Sequence, residues 1–307
     1  MKPVSHRTAA LLLMLAALLW GGSVIAQKWG VTYFPPLRLA LLRGGGAILC
    51  LLPFWLKADD RVRRFDRKEF PLLFLLAFLS MIGNQLSNYY GLRTIPASEA
   101  GIIMGSTPVL TVLLSSLLFR GPSRGPSREP LTRRRTVGCL LSFTGVVLVV
   151  ARLPRGETIA SWQGDLLVCL GVLSWVLYTL LARLILKNHS SLALTMATFS
   201  IGTLMVLPFA LWESAQQNPI PDSAWGALAY LIVFASVIAF FAWNIGLQAV
   251  GPTRASVFSN LIPVTALLLG VLLLSESISI KQFIGMGLIL VSVWMVNRPG
   301  PEGARRA

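Results

Sequence analysis

The sequence predicts an all-α membrane protein: ten transmembrane helices, arranged as two inverted five-helix repeats. Three observations carry that prediction. Hydrophobic residues make up 55% of the chain and charged residues 13%, with a mean hydropathy of +0.70. A soluble chain carries charges at roughly 25% of its positions. Apolar runs of membrane-crossing length then follow one another along the chain, and the two halves repeat each other at a constant offset of 155 residues.

About 20 apolar residues cross a ~30 Å hydrocarbon core. On that criterion the ten segments lie at about 8–26, 37–57, 70–92, 97–119, 136–152, 163–185, 192–213, 223–248, 254–274 and 280–297. Several contain Gly, Pro or polar residues, which membrane helices tolerate when neighbours satisfy the freed backbone groups. The first segment, preceded by Lys2 and Arg7, has some features of a cleavable leader. It is expected to be retained, because Trp20 and Lys28 have counterparts in the second half.

The offset aligns Leu18 and Trp20 with Leu173 and Trp175, and Leu52-Pro53-Phe54 with Leu207-Pro208-Phe209. It also aligns Gly91 with Gly246, Ala100 with Ala255 and Pro108 with Pro263. One offset holding across separate segments marks a duplicated unit, here residues 1–153 and 154–307.

Basic residues favour cytoplasmic loops. With the N-terminus inside, twenty Lys and Arg fall on inner ends and loops, against five outside: Lys28, Arg93, Arg152, Arg155 and Lys281. Both termini are therefore expected to be cytoplasmic. Each half has an odd number of spans, so the halves must insert in opposite senses. Inverted repeats of this kind build carriers whose halves rock about a site near the midplane.

Other classes fit the residues less well. The net charge of +15 lies in short loops between apolar runs, with no basic face interleaved with aromatics, so no nucleic-acid partner is expected. Cys50, Cys139 and Cys169 sit in apolar segments without paired spacing and read as small packing residues, with no metal or cofactor expected. His6 and His189 lie in different polar segments, and no acid pair, nucleophile elbow or phosphate loop appears. Catalysis is not expected.

Several local patterns together resemble the EamA-domain transporters of the drug/metabolite transporter superfamily. They are Leu18-Leu19-Trp20-Gly21-Gly22-Ser23, Pro35-Pro36 with Arg43 beyond, and Gly91-Leu92 leading through Ile95-Pro96-Ala97-Ser98-Glu99-Ala100-Gly101 to Thr107-Pro108. The second half repeats the last as Gly246-Leu247 through Gly251-Pro252-Thr253-Arg254-Ala255 to Ile262-Pro263. A Glu stands nine residues before a Gly in each half, Glu129 before Gly138 and Glu276 before Gly285. This last pair is offset by 147, so the first half carries about eight extra residues, Gly121 to Arg128, a doubled Gly-Pro-Ser-Arg that reads as a tolerated cytosolic loop.

The resemblance implies a multi-pass inner-membrane carrier for a small polar metabolite, an amino acid or its derivative, more often exported than taken up. It also implies a central cavity lined by helices one, three, four, six, eight and nine. The candidate site residues lie on those helices. Asn84 and Asn88 share a face of helix three, with Tyr89 beside them; Trp243 and Asn244 lie on helix eight. Amides within a membrane are costly unless they face protein or a wet cavity. Trp20, Trp175 and Tyr178 offer flat faces to a ligand, although aromatics at helical spacing also serve as packing. Pro108 and Pro263, read as lying mid-helix, are expected to kink helices four and nine and free carbonyls beside Ser106 and Asn260.

Arg43 and Glu99 are expected to pair near the outer side. No Asp or Glu occupies a helix centre, so a proton coupled through Glu99 and transport with no coupling ion both stay open. The other partner expected is membrane lipid. A non-transporting membrane scaffold or sensor is the alternative reading, in which neighbouring helices satisfy every polar face.

Overall fold

A computed structural model describes residues 4–58, 64–95, 100, 103–118, 133–150, 162–213, 219–274 and 279–297. Glu99, Glu129, Glu276 and the 121–128 insertion lie outside them, as does the expected Arg43–Glu99 pair. Among the described residues the regular elements are helical. We number them α1 (His6–Tyr33), α2 (Pro36–Leu56), α3 (residues 70–94), α4 (Thr107–Leu118), α5 (Arg133–Val150), α6 (Trp162–Leu186), α7 (Ser191–Trp212), α8 (Asp222–Val250), α9 (Pro252–Phe258 and Leu261–Leu274) and α10 (Ile280–Asn297).

Six stretches among the described residues are long and apolar enough to cross a membrane: α1, α2, Arg67–Gly91, α6, α7 and α8. Shorter apolar helices lie at Thr107–Leu118, Thr136–Leu148 and Ile280–Val296. The protein is therefore a multi-pass membrane protein. Of the other four predicted spans, 97–119 and 136–152 run beyond the described residues, and α9 is interrupted at Ser259–Asn260.

That interruption corrects the expectation for the prolines. Neither sits mid-helix. Pro108 is the second residue of α4 and Pro263 the third of the longer α9 piece. A first-turn amide has no intrahelical acceptor, so proline costs little there. Side chains take up neighbouring carbonyls: Thr107 Oγ1 donates to Met104 O at 2.6 Å and Ser106 Oγ to Ile103 O at 2.6 Å. Gly251, at φ 84°, makes the turn from α8 into α9 ahead of Pro252.

Helices α3 and α8 share a second irregularity. Each widens into π-helical geometry at its middle, over Phe78–Leu86 and Leu231–Ile238. These segments occupy nearly equivalent places in the two halves. A π segment rotates the side chains beyond it relative to an α-helix and is often found where function resides.

Four of the helices meet in two antiparallel pairs. Helices α5 and α10 pack antiparallel, with glycines of α5 at the contact. A Cβ on Gly145 would lie 2.7 Å from Gly285 O, while one on Gly138 would meet Val296 Cγ2 at 2.4 Å. Helices α2 and α7 are likewise antiparallel. Glu213, at the C-terminal end of α7, accepts the Arg38 backbone N–H at the start of α2 at 2.9 Å, and Arg38 Nη2 donates to Glu213 O at 2.8 Å. The carboxylate thus caps the positive end of α2. Equivalent residues also meet the same surroundings: Leu49 and Leu204 are 69% and 66% exposed, Phe54 and Phe209 65% and 63%. Those side chains are suited to face lipid.

Gly145→Ala is expected to destabilise the fold by about 1–3 kcal/mol, the usual range for overpacking, because its neighbour is backbone and cannot rotate away. Thermal unfolding in detergent should show that loss, while Gly287→Ala, where nothing lies within 4 Å, should leave the melting temperature unchanged. Glu213→Gln is expected to cost about 0.5–2 kcal/mol in the same measurement through the weakened cap.

Candidate functional site

Aromatic side chains from α1, α6, α7 and α8 meet inside the bundle. Trp20 and Trp175, equivalent residues of the two halves, touch edge to face at 5.2 Å between ring centroids. Trp243 lies 5.2 Å from Trp20 and 5.4 Å from Trp175, and Tyr178 stacks on Trp175 at 5.4 Å. Phe240 closes the cluster against Trp20, Trp175, Tyr178 and Phe199. All these rings are buried. The apolar rings of Phe199 and Phe240 carried no polar signal in the sequence and were not anticipated.

Polar groups around the rings are mostly spoken for. Trp20 Nε1 donates to Ala235 O at 3.0 Å, within the π segment of α8. Tyr178 Oη donates to Asn244 Oδ1 at 3.4 Å, and Asn244 Nδ2 donates to Thr195 Oγ1 at 3.0 Å. Two groups stand apart. Trp243 Nε1 and Asn88 Oδ1 are buried without a hydrogen-bond partner. Asn88 lies against Gly171, where a Cβ would approach its Oδ1 to 2.9 Å. Gly171 is one helical turn before Trp175, so Asn88 adjoins the cluster. Unsatisfied buried groups are expensive, about 1–3 kcal/mol each, and call for a reason.

The remaining predicted residues divide. Asn84 Nδ2 donates to Gly171 O at 3.0 Å and joins α3 to α6. Asn260 Nδ2 donates to Ser142 Oγ at 2.7 Å and to Gly105 O at 3.3 Å. Gly105 is the residue equivalent to Asn260 in the first half, so the interrupted stretches of α4 and α9 meet at equivalent positions, as the tryptophans do. Ser106 is spent on its own turn. Asn84, Ser106 and Asn260 thus each donate to an oxygen of the bundle. Trp20, Trp175, Tyr178, Trp243 and Asn244 form one cluster.

Tyr89 belongs to another node. The Arg43 guanidinium, 4% exposed, donates from Nε to Ser236 Oγ at 2.6 Å and from Nη1 to Tyr89 Oη at 3.0 Å. Trp20 and Arg43 thus hold adjacent residues, Ala235 and Ser236, of one π segment. A narrow crevice of about 10 Å3 lies beside this junction. It is lined by Ser80, Met81, Gln85, Thr198, Phe199 and Phe240. The signal for Arg43 was in the sequence, as a guanidinium within an apolar run, but Ser236 and Thr195 look like ordinary helix residues.

Away from the cluster, His189 Nε2 and Glu69 Oε2 lie within hydrogen-bond distance at 2.9 Å, with the Phe65 ring 4.4 Å from the imidazole. This contact ties the start of α3 to the turn between α6 and α7. Among the described residues no group of His, Cys, Asp and Glu is placed to hold a metal.

The chain belongs to the EamA-like transporter family, whose model matches residues 7–151 and again 162–298. Among its relatives is the uncharacterized transporter YyaM of Bacillus subtilis, 26% identical over 294 residues, covering 94% of this chain and 93% of that protein. An uncharacterized transporter of Archaeoglobus fulgidus is 28% identical over 296 residues, 94% of this chain and 96% of the other. The uncharacterized inner membrane transporter YedA of Escherichia coli K12 is 23% identical, covering 91% and 87%. A solved crystal structure superposes with a TM-score of 0.79 over 98% of this chain and 99% of its own, at 22% identity. That likeness concerns the fold.

Trp20→Phe and Trp243→Phe remove the same ring volume but different hydrogen bonding. The first abolishes a made bond and the second an unmade one, so Trp20→Phe is expected to cost about 1–3 kcal/mol more stability. Paired thermal melts check the difference.

Proposed function

We propose that the protein is a secondary transporter that moves a small polar metabolite across the inner membrane by alternating access. In this reading the chain crosses the membrane ten times, as inverted repeats over 1–153 and 154–307, with both termini cytoplasmic. The carrying observation is the meeting of Trp20 with Trp175 at 5.2 Å. Equivalent residues that touch lie on a two-fold axis, and the antiparallel pairs α2/α7 and α5/α10 support an axis lying in the membrane plane. A site on that axis can be exposed by rocking either half. The unpartnered Asn88 Oδ1 and Trp243 Nε1 are the groups a polar substrate would satisfy. Substrate class, an amino acid or its derivative, and export as the direction follow from the family resemblance.

The close packing of the aromatic cluster favours a second reading, a membrane scaffold or sensor. Purified protein in proteoliposomes, offered labelled amino acids, sugars and nucleobases, separates the two. The carrier reading expects saturable flux of at least one class, and Asn88→Ala or Trp175→Ala is expected to lower it with membrane insertion unchanged. Folded protein that passes none of them favours the scaffold.

A further inference from the structure

Arg43 is the group the aromatic site leaves unexplained. A guanidinium within a membrane bundle is costly unless it is paired. Its contacts here are two neutral hydroxyls, on Ser236 and Tyr89, which occupy only part of a fork of five N–H donors. Among the described residues no carboxylate lies in ion-pair range of it, and the His189–Glu69 contact is elsewhere. Buried, hydrogen-bonded and uncompensated among the described residues, the charge is positioned for an anion.

The repeat sharpens the argument. At the 155-residue offset, Arg43 corresponds to Thr198, Ser236 to Met81 and Tyr89 to Asn244. Thr198 and Met81 line the crevice beside the aromatic cluster. The second half thus fills the equivalent place with a small neutral residue. Packing alone would be served by the same choice in the first half. Arg43 is also near the crevice: a Cβ on the adjacent Gly44 would lie 2.9 Å from Met81 Cε, and Gln85 of the crevice is one turn before Tyr89.

We propose that Arg43 is an anion-docking residue: a carboxylate-bearing solute entering between the two halves pairs with its guanidinium, which Ser236 and Tyr89 hold in place. A planar carboxylate matches the guanidinium fork in a bidentate pair. The site is then asymmetric, charged on the first half and neutral on the second. This deepens the carrier reading and rests on it, because it assigns the substrate an anionic group.

The test uses full-length protein in nanodiscs, with a panel of monocarboxylates from acetate to N-acetyl-leucine, each against its own carboxamide. Binding is read by ligand-dependent thermal shift. Acids are expected to bind wild type on the order of tenfold or more tighter than their amides, and R43Q is expected to lose that preference. R43K, which keeps the charge without the fork, should retain part of it. Equal binding of acid and amide to wild type overturns the proposal without recourse to any variant; so does an acid preference that survives in R43Q, or a panel in which no acid binds. An Arg43 serving only as partner to Glu99 gives the first of these results. Flux of the same pairs in proteoliposomes separates the two claims. Transport that ignores the carboxylate leaves the carrier standing and removes anion docking, whereas Arg43-dependent binding with no flux removes the carrier and leaves the docking.

Discussion

Hydrocarbon offers no hydrogen-bond partners, so a polar atom in a membrane bundle must find one within the protein or serve a purpose by going without. That constraint organises this fold. It turns hydroxyls back onto their own carbonyls, as at Ser106, Thr107 and Thr111, and spends Asn84 and Asn260 on joining helices. Against so much satisfaction, the exceptions stand out. Two of them, Asn88 Oδ1 and Trp243 Nε1, gather with the incompletely matched Arg43 charge around the π segments of α3 and α8 and the rings between them, while Asp165 Oδ1, Thr179 Oγ1 and Thr203 Oγ1 lie elsewhere on α6 and α7.

The same constraint explains the glycine contact between α5 and α10. Helix association in lipid has little hydrophobic drive and relies on close packing and hydrogen bonds. Gly145 lets the backbone of one half approach that of the other at Gly285. Bonds that must open and close in a carrier would be drawn elsewhere, from aromatic rings that slide on one another. Beside the tryptophan contact, the Trp20 N–H donates to Ala235 O on α8, a hydrogen bond that also joins the halves.

Much of the architecture was legible in the sequence because lipid makes hydrophobic run length a strong signal. The segments at 8–26, 163–185 and 192–213 correspond to helices His6–Tyr33, Trp162–Leu186 and Ser191–Trp212. Pro108 and Pro263 were misread for a physical reason. A proline in an apolar run looks mid-helix until the polar residues before it, Ser106 and Ser259-Asn260, are seen to interrupt the helix first. The π segments left no trace, because Phe78–Leu86 and Leu231–Ile238 have ordinary helical composition. At the candidate site the tryptophans stood out by their repeat. Ser236, Thr195 and Phe240 did not, since their role depends on which helix lies opposite.

The central claim is that the two halves lie in opposite senses across the membrane. Its most direct test is thiol accessibility at Lys57 and Trp212, equivalent exposed residues at the ends of α2 and α7. Cys50, Cys139 and Cys169 are first replaced by Ala, and a single cysteine is then placed at 57 or 212 in intact cells. The account predicts that a membrane-impermeant maleimide labels position 212 from outside and position 57 only after permeabilisation. Labelling of both from the same side would contradict it.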